Sequence, residues 1–306
     1  MQKLWRGFWQ VADPKIWIAS LVPMAVGGSL AYGLTGTFSW FWFAVSMIGV
    51  FFIEIGKNAA NDLVDYQSGV DLMVAPDKRT PFSGGKRAIV DGNLTILQAA
   101  WITVFTLAAG SAIGIYIAII REPAILWIGC SGLFFAAAYS LPPFKLAYRG
   151  LGELVVGLTF GPLIVSGAFV VQTNFLSWEV FLVSLPIGFL IANVLFINQY
   201  PDYEADLQGN KRNWVVRLGK EKGIAVYKGL FTAAYLSVAA LFAVTGNPFW
   251  LVPYLSIPLV RSAVDNATRH KEDIPRFIQA NVNTIKTYQL TGITMVLAGL
   301  MSRFFI

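Results

Sequence analysis

Charge is what this sequence has least of. Of its 306 residues only 13% are Asp, Glu, Lys or Arg, against 56% hydrophobic. That balance excludes an ordinary soluble domain of this length and indicates a polytopic membrane protein. Cysteine occurs once, at Cys130 inside an apolar run, which excludes a disulfide framework or a thiol pair. Histidine also occurs once, at His270, excluding haem held by paired histidines and zinc sites built on histidine. The formal charge is +6, but no basic aromatic module accompanies it, so nucleic acid is not an expected partner. The lipid bilayer is.

What is abundant is apolar sequence in lengths that span. Segments near 16–34, 38–56, 95–119, 124–141, 151–171, 178–197, 223–244, 248–264 and 287–305 are candidate spans of roughly 17–25 residues. The expected fold is therefore all-α, a bundle of about nine transmembrane helices. With nine spans, only Arg121 and Arg303 of the 23 Lys and Arg fall on one side, leaving 21 on the other. By the positive-inside rule, the N-terminus and the long polar loops face the cytoplasm, as expected of a multi-pass protein of the cytoplasmic (inner) membrane. Met1 to Gly33 has the charge order of a signal peptide. Gln10 and Asp13-Pro14-Lys15 separate the early charges from a run as long as a span, which fits a retained first helix. The segment before it, with Trp5, Phe8 and Trp9 beside Lys3 and Arg6, reads as a helix lying in the inner interface.

The few acids are not scattered. Asn61 and Asp65 stand i, i+4 at the end of the second apolar run, with Asn58 one turn before and Asp71 beyond Gly69. Asn198, Asp202 and Asp206, spaced i, i+4, i+8, end the run from Phe181 to Ile197. Each cluster is followed by a basic loop: Arg79 to Arg87, with Gly84-Gly85 inside it, and Lys211-Arg212. Asp62 and Glu204 lie off these stripes and read as supporting charges. The recurrence predicts one domain, 1–306, of two pseudo-repeated halves near 16–145 and 150–264 plus a final helix. The last polar stretch, 261–286, reads as a surface loop.

Carboxylates at the ends of membrane helices are costly unless they meet water, metal or counter-charge. Two such clusters facing each other make a site for hard divalent cations, most naturally Mg²⁺ bridging to phosphate oxygens. Arginine and lysine on the same face suit charge developing on a departing diphosphate. An apolar bundle below can hold an isoprenoid tail, and aromatic faces can stabilise an allylic cation. The rival from another class is a transporter or channel. Against it, the acidic motifs stand at helix ends rather than at the midplane, and no helix is charged along its length.

Together, Asn61-x3-Asp65-x5-Asp71, Arg79-x-Pro-x-Ser-Gly, the run Tyr139 to Glu153 and Asn198-x3-Asp202-x3-Asp206 resemble the UbiA superfamily of intramembrane prenyltransferases. The first motif and Leu146-Ala-Tyr-Arg-Gly-Leu-Gly-Glu153 most resemble its 1,4-dihydroxy-2-naphthoate polyprenyltransferases of menaquinone synthesis. One departure is Pro201, where that group commonly carries Arg. The resemblance implies a bundle around a central cavity, open laterally to lipid and capped by cytoplasmic loops. It implies two Mg²⁺ and the diphosphate held by Asn61, Asp65, Asp71, Asn198, Asp202 and Asp206. Arg79, Lys145 and Lys211 match basic positions expected to contact phosphate, with Lys15, Arg149 and Arg212 as further candidates. Tyr139 is expected to face the reacting carbon or the diphosphate. The implied reaction moves a polyprenyl chain from its diphosphate to an aromatic acceptor, which the form of the motifs implies is 1,4-dihydroxy-2-naphthoate. Within the superfamily, 4-hydroxybenzoate, a porphyrin, chlorophyllide or a glycerol-phosphate lipid are the alternative acceptors.

Overall fold

The computed structural model describes residues 2–305, and its regular structure is entirely helical among them. Gln2–Ala12 forms α1, followed by α2 (Ile18–Thr35) and the long α3 (Trp40–Ser68). Ser39 starts α3 by accepting the Trp42 N–H, and Gly69, at φ +80°, ends it. The left-handed turn at Gly69 redirects the chain into the short α4 (Val70–Met73), which carries Asp71 back toward α3. An irregular loop then runs to Thr95, whose side chain and that of Gln98 form a reciprocal capping box opening α5 (Ile96–Ile120). Next come α6 (Ala124–Ser140), α7 (Gly152–Leu158), α8 (Ile164–Thr173) and α9 (Trp178–Asn198). A π turn containing Pro162 joins α7 to α8, so the two act as one span, Gly152–Thr173. After α10 (Tyr203–Gln208) come α11 (Trp214–Thr245), α12 (Ile257–His270) and α13 (Ile274–Met301).

Six helices among the described residues are long and apolar enough to cross a membrane, and Ala124–Ser140 is a shorter apolar one. The expected eighth span is instead a 3₁₀ stretch, Pro248–Ser256, running into α12. The prolines at 248, 253 and 258 explain the tightened geometry. The expected surface loop at 261–286 is also helical: α12 reaches His270 and α13 begins at Ile274, well before the apolar run. Its polar residues Asn281, Thr284 and Thr287 are buried, because they bond to other helices or to their own backbone. Polarity there marks helix–helix bonding inside the bundle rather than contact with water.

The core joins α2, α8, α9, α11 and α13 around Val26, Val165, Ile187, Phe196, Tyr227 and Met295. Small residues set the closest approach. A side chain at Gly33 would overlap the Gly299 carbonyl, so α2 and α13 touch backbone to backbone. On the other flank, α3, α5, α6 and α7–α8, with Ser20 and Met24 of α2, line a chamber of about 180 Å³. It runs from Tyr139 at the polar end of α6 to Ile125 and Ile117 near the opposite end.

Candidate active site

The first acidic motif lies on α3 as its spacing predicts, with Asn61 Nδ2 donating to Asp65 Oδ2 at 3.2 Å and to Ser140 Oγ at 3.1 Å. The second departs from the expected continuous helix. Helix α9 stops at Asn198, the chain turns through Tyr200-Pro201, and Asp206 sits on the separate α10. Pro201 lacks an N–H and disfavours helical geometry at the residue before it, which breaks the stripe. The carboxylates nevertheless turn inward: Asp65, Asp71 and Asp206 are each at most 3% exposed.

One side chain ties the two motifs together. Lys211 Nζ lies 2.9 Å from Asp65 Oδ2 and 4.0 Å from Asp206 Oδ1. The Tyr148 hydroxyl donates to Asp65 Oδ1 at 2.6 Å, and the ammonium groups of Lys145 and Lys211 each stand 5.5 Å from its ring. Asn213 Nδ2 donates to Asp206 Oδ2 at 2.6 Å. The loop after the first motif reaches the second, where Gly84 N–H donates to Asp202 Oδ2 at 3.0 Å. Neighbouring Gly85 lies directly against the Asp71 carboxylate, where any side chain would collide. Both glycines have positive φ, a conformation that lets consecutive N–H groups turn toward an anion.

Asp62 positions this loop, accepting the Ala88 and Ile89 N–H groups at 3.1 Å each. Helix α1 secures it from the other side: Gln10 donates to the Lys86 carbonyl at 2.8 Å, and Lys86 pairs with Asp13. Glu204 instead pairs with Lys220 at 3.0 Å, away from the carboxylate cluster. Glu153 reaches across to accept the Trp214 N–H, capping α11 rather than its own helix.

Concentrating acids in a dry site raises their pKa values. Burial pushes Asp71 up to about 8, with the Asp65 charge adding to it and Lys211 opposing. Burial likewise lifts Asp206 to about 8 against Lys211, and Asp202 to about 6 against the Gly84 N–H. Burial works against the Lys211 charge, but Asp65 and Asp206 more than offset it and hold its pKa well above the usual value. Lys211 is therefore a fixed cation between the motifs.

Does the site suit divalent cations? Among the described residues no three carboxylates close on a single point. Two buried oxygens, Asp71 Oδ2 and Asp202 Oδ1, take no hydrogen bond, and the Lys211 ammonium already neutralises the gap between motifs. The donors are all oxygen, the set that hard cations such as Mg²⁺ prefer. These residues fit the ion.

The remaining sequence candidates lie farther out. Arg79 is exposed and bonds the Val74 carbonyl, Arg149 bonds the Pro143 carbonyl, and Arg212 bonds the Asn210 side chain. Lys15 is exposed on the 3₁₀ turn Pro14–Ile16. Asn198 Oδ1 accepts from Asn281 Nδ2 at 2.8 Å, so α13 reaches the second motif too. Tyr139 lines the chamber, its ring 5.7 Å from Lys57 Nζ.

Sequence reasoning passed over Tyr148, Asn213, Glu54 and Lys57. The last two carried a usable signal. They are charges at the inner end of the second apolar run, and Lys57, Asn61 and Asp65 repeat every four residues on one helix face. Nothing local marks Tyr148 or Asn213 as partners of Asp65 and Asp206.

A family model described as the UbiA prenyltransferase family matches residues 20–284. The 2-carboxy-1,4-naphthoquinone phytyltransferase of Synechocystis sp. is 31% identical over 248 residues, covering 78% of this chain and 73% of that protein. The 1,4-dihydroxy-2-naphthoate octaprenyltransferase of Bacillus subtilis is 27% identical, covering 97% of this chain and 93% of that one. In fold, the chain is similar to a UbiA homologue from Archaeoglobus fulgidus, with a TM-score of 0.68 over 97% of this chain and 99% of that one at 16% identity. A UbiA homologue of that organism has been solved bound to GPP and Mg²⁺, with a TM-score of 0.62 at 17% identity over 97% of this chain and 99% of that one.

Proposed function

The chain belongs to the UbiA prenyltransferase family, and from that premise we propose that it transfers a polyprenyl chain from its diphosphate to 1,4-dihydroxy-2-naphthoate. Family membership makes it a membrane prenyltransferase and sets the transporter reading aside. The observation that carries the finer proposal is the meeting of both acidic motifs around Lys211, with Asn61 bonded to Ser140 beside Tyr139, the polar end of an apolar chamber. A diphosphate needs the first and an isoprenoid tail needs the second. The naphthoate acceptor is supported by the names of the Synechocystis and Bacillus relatives.

In this reading Asp65, Asp71, Asp202 and Asp206, with Asn61 and Asn198, hold two Mg²⁺, which when bound supply charge neutralisation and Lewis acidity for the leaving diphosphate. Lys211 contributes fixed positive charge beside the diphosphate, and Lys145 adds a second cation from the turn after α6. Gly84 and Gly85 present backbone N–H groups to phosphate oxygens. Tyr148 holds Asp65 in one orientation through its hydroxyl. Arg79, Arg149, Arg212 and Lys15 form an outer basic rim on the cytoplasmic side that attracts the anionic donor. Below, Tyr139 faces the carbon that loses the diphosphate, and its ring offers a negative face to cationic character there. The chamber walls exclude water, which would otherwise capture that centre.

The test is product analysis. Purified protein with labelled polyprenyl diphosphate and a choice of acceptors should make the prenylated naphthoate-derived product, as read by mass spectrometry. A prenylated 4-hydroxybenzoate, porphyrin or glycerol phosphate, with no naphthalene product, overturns the acceptor assignment.

A further inference from the structure

The chamber is not uniformly apolar. Glu54 and Lys57, one turn apart on α3, both project into it, and nothing in the diphosphate chemistry uses either. Glu54 is 5% exposed. Its Oε2 accepts from Ser20 Oγ, while its Oε1 is buried and takes no hydrogen bond. Lys57 Nζ has no hydrogen bond and no ion pair within 4 Å among the described residues; it stands 5.7 Å from the centroid of the Tyr139 ring, with Glu54 as its charged neighbour one turn away. Two further buried hydroxyls at the chamber wall, Ser46 Oγ and Thr159 Oγ1, are also unpartnered.

An unpaired cation and a bare carboxylate oxygen inside a membrane bundle are costly unless a ligand completes them. Their demands differ: the ammonium needs an anion and the carboxylate oxygen needs a donor. One small molecule satisfies both if it carries a carboxylate beside a hydroxyl on an aromatic ring. Position agrees. Lys57 precedes Asn61 by four residues and Asp65 by eight, about 6 and 12 Å along one helix face. A ring held there lies beneath the diphosphate site, with Tyr139 beside it.

We propose that Lys57 and Glu54 form the anchor for the acceptor, a hydroxyaryl carboxylate. Lys57 binds its carboxylate, and Glu54 Oε1 accepts from the adjacent hydroxyl. The inference rests on the reading of the protein as an aromatic prenyltransferase, and it adds the residues that select the acceptor. The anchor discriminates by mismatch: an acceptor lacking the carboxylate leaves Lys57 unpaired.

Binding without turnover tests it. The probes are 1-hydroxy-2-naphthoate, its methyl ester and 1-naphthol, titrated into the detergent-solubilised protein by fluorescence. The acid should bind about 10-fold or more tightly than its ester, the scale of a charge-assisted hydrogen bond. Lys57→Met should remove that preference while leaving 1-naphthol and prenyl diphosphate affinities within about twofold, and Lys57→Arg should retain most of it. Equal binding of acid and ester by the unmodified protein overturns the anchor without any variant being needed. So does Lys57→Met with the preference intact. A parallel turnover assay separates the two readings. Product from 1,4-dihydroxy-2-naphthoate with no acid preference removes the anchor and leaves the function. Lys57-dependent binding with no naphthalene product keeps the anchor and removes the proposed acceptor.

Discussion

At the scale of single residues, the site is a set of carboxylates that repel one another and are held by one lysine. Asp65→Ala and Asp202→Ala should each lower turnover on the order of 10²-fold or more, the scale of losing a preorganised electrostatic group. A steady-state assay with saturating donor checks this, and tenfold or smaller losses in both would contradict the proposed roles. Asp62→Ala should act differently. It frees the Ala88 and Ile89 N–H groups, so the loop loosens, donor KM rises and kcat falls less than for Asp65→Ala. Glu204→Ala should cost less still, because its partner Lys220 lies outside the cluster. Protonation follows from the same crowding. Asp202, Asp71 and Asp206 have pKa values raised to about 6, 8 and 8, above those of an unfolded chain. Raised carboxyl pKa values stabilise the protonated form, so that contribution is complete below the unfolded-chain values of about 4 and is lost progressively as pH rises, until the folded values of about 6 to 8 are passed. Metal-free protein should therefore lose thermal stability across that window. Added Mg²⁺ should raise Tm more at pH 8.5 than at pH 6, because it replaces protons. A Mg²⁺ shift independent of pH would contradict this.

At the scale of elements, α5 and α6 set the size of the chamber. Gly114 on α5 and Gly129 and Gly132 on α6 line it, and a side chain at any of them would meet open space. Bulk is therefore tolerated structurally, and under the proposed function it would take up volume meant for the tail. Gly129 stands deeper than Gly132, since α6 approaches the site at its Ser140 end. Gly129→Phe should lower kcat/KM for long-chain donors by about tenfold or more, while a two-isoprene donor keeps most of its rate. Equal losses for long and short donors would show that the tail does not pass Gly129. The break in the second motif also belongs here. Pro201 replaces a continuous helix by two pieces, and that turn lets α10 carry Asp206 to within 4.0 Å of Lys211.

At the scale of the molecule, the proposed orientation places α1, both motifs and the basic loops on the cytoplasmic side. Reporter fusions at Gly85 and Gly209 should both read cytoplasmic, and one after Ile306 should read the opposite side. A cytoplasmic reading after Ile306 would require an even number of crossings and a different path for 248–301. Mg²⁺ should support product formation, and excess chelator should abolish it with recovery on re-addition. Full turnover in chelator would remove the metal reading altogether.

Much of this protein is written locally. The shortage of charge and the length of the apolar runs determined a helical membrane bundle, because unpaired backbone polar groups cannot face lipid. The spacing of Asn61 and Asp65 determined a helical stripe, and Gly69 determined its end, since these are properties of a few neighbouring residues. Other features depended on contacts between distant segments. The helical state of 261–286 was hidden because its polar residues bond within the bundle, and a sequence does not distinguish a buried asparagine from a solvated one. Lys211 between Asp65 and Asp206, Tyr148 on Asp65, and the Gly84 N–H on Asp202 join residues 146, 83 and 118 positions apart. Glu54 and Lys57 stood in plain view as intramembrane charges. Only the packing of α3 against α2, α5, α6 and α7–α8 decided that they face a cavity in which Glu54 Oε1 and the Lys57 ammonium take no hydrogen bond among the described residues, because burial and pairing are properties of neighbours in space.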